Sequence, residues 1–167
     1  FSFRIVLLKM FRILFNEVLA LGHRILRMPR TCGFGVQSPT AYFILRNVLN
    51  EKSFLNKYRI IHDNDVSYPI HTTKQERLFF RLHSYFPQMA VIEVLQLKAP
   101  TSMEILLSSM SPQSVLLVKK IRMDKVSKEI WNRLVANSHS ILTYDLWDCG
   151  ILFFDNTKIK QNFKVNY

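Results

Sequence analysis

A chain of 167 residues is long enough for one complete core and too short for two ordinary domains. Its 49% hydrophobic and 21% charged residues form a globular composition and exclude a disordered chain. The formal charge of +11, from 23 basic and 12 acidic residues, favours anionic partners, whether nucleic acid, anionic lipid or an acidic protein, without choosing among them.

The opening stretch, FSFRIVLLKMFRILFNEVLALG, is apolar, but Arg4, Lys9 and Arg12 interrupt it. No run approaches the roughly 18 uncharged residues of a membrane-spanning helix. An unbroken apolar segment followed by a small-residue cleavage site is also missing, which argues against a secretory signal. On a helical wheel Arg4, Lys9, Arg12, Asn16 and Glu17 group on one side, and Phe3, Val6, Leu7, Met10, Leu14 and Leu21 lie largely opposite. The expectation is an amphipathic basic helix, laid on its own domain or on a second subunit, with peripheral membrane contact as the alternative. Six basic residues against Glu17 fall within positions 1–30.

PRTCGFGVQSP then concentrates two of the four glycines and two of the six prolines in an ordered turn. Ser38 before Pro39 suits an N-cap with proline at the first helical position, and a helix is predicted from about Thr40 to Asn50. The polar stretch from Glu51 to His71, broken by Asp63, Asn64, Asp65 and Pro69, reads as loop with one short extended piece at Tyr58 to His62. Thr73 and Glu76 have the capping-box spacing, and Leu78, Phe79, Leu82 and Tyr85 continue at helical intervals until Pro87.

Next come a buried strand at Ala90 to Leu95, a helix at Thr101 to Met110, a strand at Ser114 to Val118 and a helix at Lys125 to Asn137. Ile141 to Tyr144 and Gly150 to Phe154 are further strand candidates, and Thr157 to Val165 a final short helix. Alternating helices and strands predict an α/β fold with a parallel sheet and helical crossovers. The division expected is a helical arm and linker over 1–72 and a partial α/β domain over 73–167.

Several strings resemble a class I S-adenosylmethionine-dependent methyltransferase, specifically a bacterial subgroup whose helical N-terminal arm carries a GxHSP turn. That turn reads here Gly35, Val36, Gln37, Ser38, Pro39, followed by TAYFILRNVL. KQERLFFRLHSYFPQMAVIEV is similar to the helix leading into the subgroup's first strand, and GILFFDNTK to its fourth strand with an acidic end followed by Gly-Asn-His. The resemblance covers about Leu21 to Tyr167 and implies a Rossmann-like methyltransferase-type parallel sheet. About four of the customary seven strands fit, without the fifth strand and the closing antiparallel pair. An edge strand left uncovered in this way implies a homo-oligomer or a protein partner.

The cofactor positions that the resemblance implies are Glu93, Leu95, Ala99, Lys119 and Asp155. Leu95 and Ala99 stand where the family has glycines that let the backbone approach S-adenosylmethionine, and a leucine side chain would project into that space. Lys119 and Lys120 follow the second strand where the family carries an acidic acceptor for the ribose hydroxyls. Asp155 remains at the end of the fourth strand, but Asn156, Thr157 and Lys158 replace the Gly-Asn-His, and Gln37 replaces the histidine of the arm turn.

No GxSxG elbow, phosphate-binding glycine loop or zinc spacing occurs. Glu93, Glu104, Asp145, Asp148 and Asp155 are the carboxylates available for acid and base work. Phe79, Phe80, Arg81, His83 and Tyr85 mix stacking and cationic groups, though helical spacing assigns their aromatic face to the core. Cys32 and Cys149 form no CxxC, so reduced thiols in a cytoplasmic protein are the plain reading, with peripheral attachment at a membrane as the further option.

The expectation is a methyltransferase-like pseudoenzyme that has lost its cofactor and acts through surfaces. An active S-adenosylmethionine-dependent methyltransferase of unknown acceptor, and a basic adaptor for a membrane surface or nucleic acid, stay open beside it.

Overall fold

The computed structural model describes residues 15, 17–19, 21–29, 31–33, 36, 38–50 and 73–166. The first fourteen residues of the predicted arm, and the 51–72 stretch with its extended piece, lie outside the described residues. The described arm is helical at 15, 17–19, 21–29 and 31, here called α1.

Ser38 caps the next helix as predicted, its hydroxyl accepting from the Ala41 N–H, with Pro39 at the first position of α2 (Pro39–Phe43). The chain then widens into a π-helical turn over Ile44–Leu49, where the Asn50 N–H reaches back to the Leu45 carbonyl at 3.0 Å. Helix α3 (Lys74–Tyr85) starts at the predicted capping box: the Glu76 carboxylate accepts from the Thr73 N–H at 2.6 Å and the Thr73 hydroxyl accepts from the Glu76 N–H at 3.2 Å. Helices α4 (Pro100–Ser109) and α5 (Lys125–Ala136) follow, the second capped by the Asp124 carboxylate, which accepts from the Ser127 N–H at 2.6 Å.

Five strands, β1 (Ala90–Glu93), β2 (Val115–Lys119), β3 (Leu142–Asp145), β4 (Cys149–Phe153) and β5 (Gln161–Lys164), form one open sheet in the order β1-β2-β4-β3-β5. The α/β class stands, but the sheet is mixed rather than parallel. Strand β4 is antiparallel to both of its neighbours, β2 and β3. Only Leu146, Trp147 and Asp148 separate β3 from β4. A parallel return needs a crossover of a dozen or more residues, so a connection this short can only form a hairpin.

The last segment also differs from expectation. Residues 157–165 form a turn and β5 instead of a helix, because Gln161, Phe163 and Val165 alternate inward with a period of two and β5 pairs in parallel with β3. This makes five strands among the described residues where about four were expected.

Both faces of the sheet are covered. Val115, Leu117, Tyr144, Ile151 and Phe153 face Ala41, Ile44, Leu45, Leu78 and Leu82 of the α2, π-helical and α3 layer. Leu116, Val118 and Leu152 face Met103, Leu107, Ile130, Trp131 and Leu134 of the α4 and α5 layer. Two-sided burial explains why β2 reads as the unbroken apolar run VLLV rather than an alternating one. The second half of the arm is thus part of the core: the buried Tyr144 hydroxyl donates to the Ala41 carbonyl at 2.8 Å across it.

Candidate functional site

Strands β1, β2, β3 and β5 point one way, so Glu93, Lys119, Asp145 and Lys164 close the same end of the sheet. In open α/β sheets this carboxyl end is where ligands bind.

Four of the five positions expected to hold a cofactor lie near this end. Glu93 and Lys119 are direct neighbours in register, and the Glu93 carboxylate pairs with the Lys120 ammonium at 2.8 Å. Strand β1 ends at Glu93, two residues before the predicted end, and the chain passes at once into a tight 3₁₀ turn over Val94–Leu97. The glycine-free loop is explained by this turn. Among the described residues only Lys120, Trp147 and Gly33 have positive φ, so Leu95 and Ala99 sit in backbone conformations open to any residue. Val94 and Leu97 are buried, Leu95 is 37% exposed, and Ala99 begins α4 in extended conformation ahead of Pro100.

Asp155 is elsewhere. Because β4 runs against its neighbours, its carboxyl end lies at the opposite end of the sheet from Glu93 and Lys119. There the Asp155 carboxylate accepts from the Thr157 hydroxyl at 2.6 Å and from the Thr157 N–H at 3.1 Å. These bonds, the hydroxyl's first, hold its pKa below the usual carboxylate range and make it the organiser of an exposed turn. The positions implied by the methyltransferase resemblance are therefore not one constellation: four lie near one end of the sheet and Asp155 at the other.

The densest polar arrangement at the carboxyl end is centred on Asp145. Its carboxylate is buried, accepts from Arg27 Nη2 at 3.1 Å, from Arg122 Nη2, and from the Trp147 N–H at 3.0 Å. Arg27 Nη1 also donates to the Asp145 backbone carbonyl at 3.1 Å. Burial lowers the Arg27 pKa, opposed by the attraction of Asp145. Trp147 occupies the hairpin loop in the left-handed region, with φ of 82°. Its ring packs with the guanidinium of Arg27 at 5.3 Å and that of Arg122 at 4.8 Å, and with the His23 ring at 4.5 Å.

Beside this cluster opens a cavity of about 320 Å³, between α1, the start of α3 and the β3–β4 loop. Its cationic lining is Arg24, Arg27 and Lys74, its acidic one Asp148, and Leu21, Ile25, Met28 and Leu146 supply apolar wall. Burial is the first cause that lowers the Lys74 pKa, the neighbouring charge of Arg24 the second, with Asp148 opposing both. The arm is anchored here: Asn166 donates from its backbone to the Thr31 hydroxyl and from its side chain to the Arg24 carbonyl, both at 2.8 Å.

Sequence reasoning counted Asp145 among the available carboxylates without finding its partners. Arg27 is 118 residues away, and only the docking of α1 on the hairpin brings the two together. Among the described residues, no group of three or more His, Cys, Asp or Glu side chains is placed to hold a metal ion. Compared with family models, with curated proteins and with solved structures, the chain matches none.

Proposed function

We propose that this protein is a non-catalytic relative of the class I methyltransferases, retaining an α/β frame and acting through its surfaces. One observation carries the reading: the turn after β1 is a closed 3₁₀ turn with Leu95 where the resemblance requires a glycine and Glu93 already paired to Lys120. Lysines at the end of β2, where a ribose would need acceptors, support it. So does the placement of Asp155 at the far end of the sheet.

Calorimetric titration of S-adenosylmethionine and S-adenosylhomocysteine into the folded chain tests the proposal. The expected result is no saturable heat. Micromolar binding, on the order of 8 kcal/mol, would overturn it and point to an active methyltransferase.

A further inference from the structure

Helix α1 is amphipathic in an unusual sense. Its Arg27 guanidinium turns inward to Asp145, whereas Phe15, Val18, Leu19, Ile25 and Leu26 are between 44% and 78% exposed. At about 100° per residue, these five with Leu21 and Met28 cover an arc of about 180° that contains no charged side chain. A contiguous outward arc of this kind marks a surface that something else covers.

What covers it is indicated by the adjoining chemistry. Leu21, Ile25 and Met28 belong both to the exposed arc and to the cavity wall, and the same cavity is lined by Arg24 of α1 and Lys74 of α3, with Asp148 as its one carboxylate. Hydrocarbon contact thus grades directly into a pocket for a negative group. A second copy of the chain is a poor match, since each copy would bring a charge of +11, and a helix-pairing seam is narrower than this arc. Among the described residues no helix is long and apolar enough to cross a membrane; a broad apolar arc bordered by basic side chains is the pattern of a helix lying on a bilayer surface.

We propose that α1 docks on the surface of a bilayer containing anionic phospholipid, with its apolar arc at the acyl boundary and a lipid phosphate seated between Arg24 and Lys74. The proposal rests on the reading that the protein acts through its surfaces, and it names the partner. Arg4, Lys9 and Arg12, earlier in the sequence, add to the positive charge of the chain.

The test is flotation of the full chain with vesicles of phosphatidylcholine alone and of phosphatidylcholine with about 30% phosphatidylglycerol. The natural chain is expected to float with the anionic vesicles and to remain largely behind with the neutral ones. Ile25→Glu with Leu26→Glu should lower the bound fraction about tenfold or more. Both side chains are mainly exposed, so the core is untouched, and circular dichroism checks the fold. Arg24→Gln with Lys74→Gln should abolish the preference for anionic lipid.

Three results would each overturn the proposal: no flotation by the folded natural chain, flotation unaffected by the paired glutamates, or a dimer in sedimentation that dissolves on those substitutions without any lipid binding. Flotation is read without S-adenosylmethionine, so its failure is distinct from a failure of the cofactor titration.

Discussion

Two positions set the tolerance of this fold to single changes. Asp145 compensates two guanidiniums at once, and Asp145→Ala would leave Arg27 and Arg122 facing each other without their shared anion. Removing one partner of a buried ion pair costs about 3–5 kcal/mol, so the variant should lose that much in urea unfolding. At Gly150 the reason is space: an added Cβ would fall 2.1 Å from the buried Trp131 ring. Neither the ring nor strand β4 can yield cheaply, and Gly150→Ala should destabilise by about 1–3 kcal/mol or more in the same measurement. Neither constraint is legible in the sequence. A strand glycine shows that a side chain is missing without showing which ring fills the space, and Arg27 gives no sign that it will be buried.

At the scale of elements, the sequence speaks where the determinants are local. The caps at Ser38 and Thr73 and the extents of α3, α4 and α5 follow from residues a few positions apart, and the structure keeps them to within about two residues. Strand direction was missed although its signal is local too: the span between the two predicted strands is too short for a crossover. Misplacing β4 in turn misplaced Asp155. Asp124 offers a test of one local determinant. The N–H of Ser127, bonded to its carboxylate, is the first cause holding its pKa below the usual value of about 3.9. A depressed folded-state pKa means stability that is present above the unfolded value and lost as pH falls through the folded one. Asp124→Asn keeps an acceptor for the cap but removes the charge at the start of α5. Its thermal midpoint should lie below that of the natural chain at pH 7, and the gap should narrow as pH falls below the carboxylate range.

For the whole molecule, the surplus of positive charge acts on two equilibria in opposite directions. The compact state gathers a formal +11 that the unfolded chain spreads over a larger volume, so self-repulsion opposes folding and is relieved when salt screens it. The same charge, under the docking proposal, draws α1 to anionic lipid, and there screening removes an attraction. Raising sodium chloride from about 20 mM to about 300 mM shortens the screening length from roughly 20 Å to below 8 Å, enough to affect both. The Asp145 cluster is buried and should respond little, and the apolar layers on the two faces of the sheet are not weakened by this salt. The urea midpoint is therefore expected to rise with salt while the fraction bound to anionic vesicles falls. A parallel loss of both would mean that the charge stabilises the fold through surface pairs and that salt-sensitive flotation reports unfolding. Opposite trends separate the two equilibria in one series of samples.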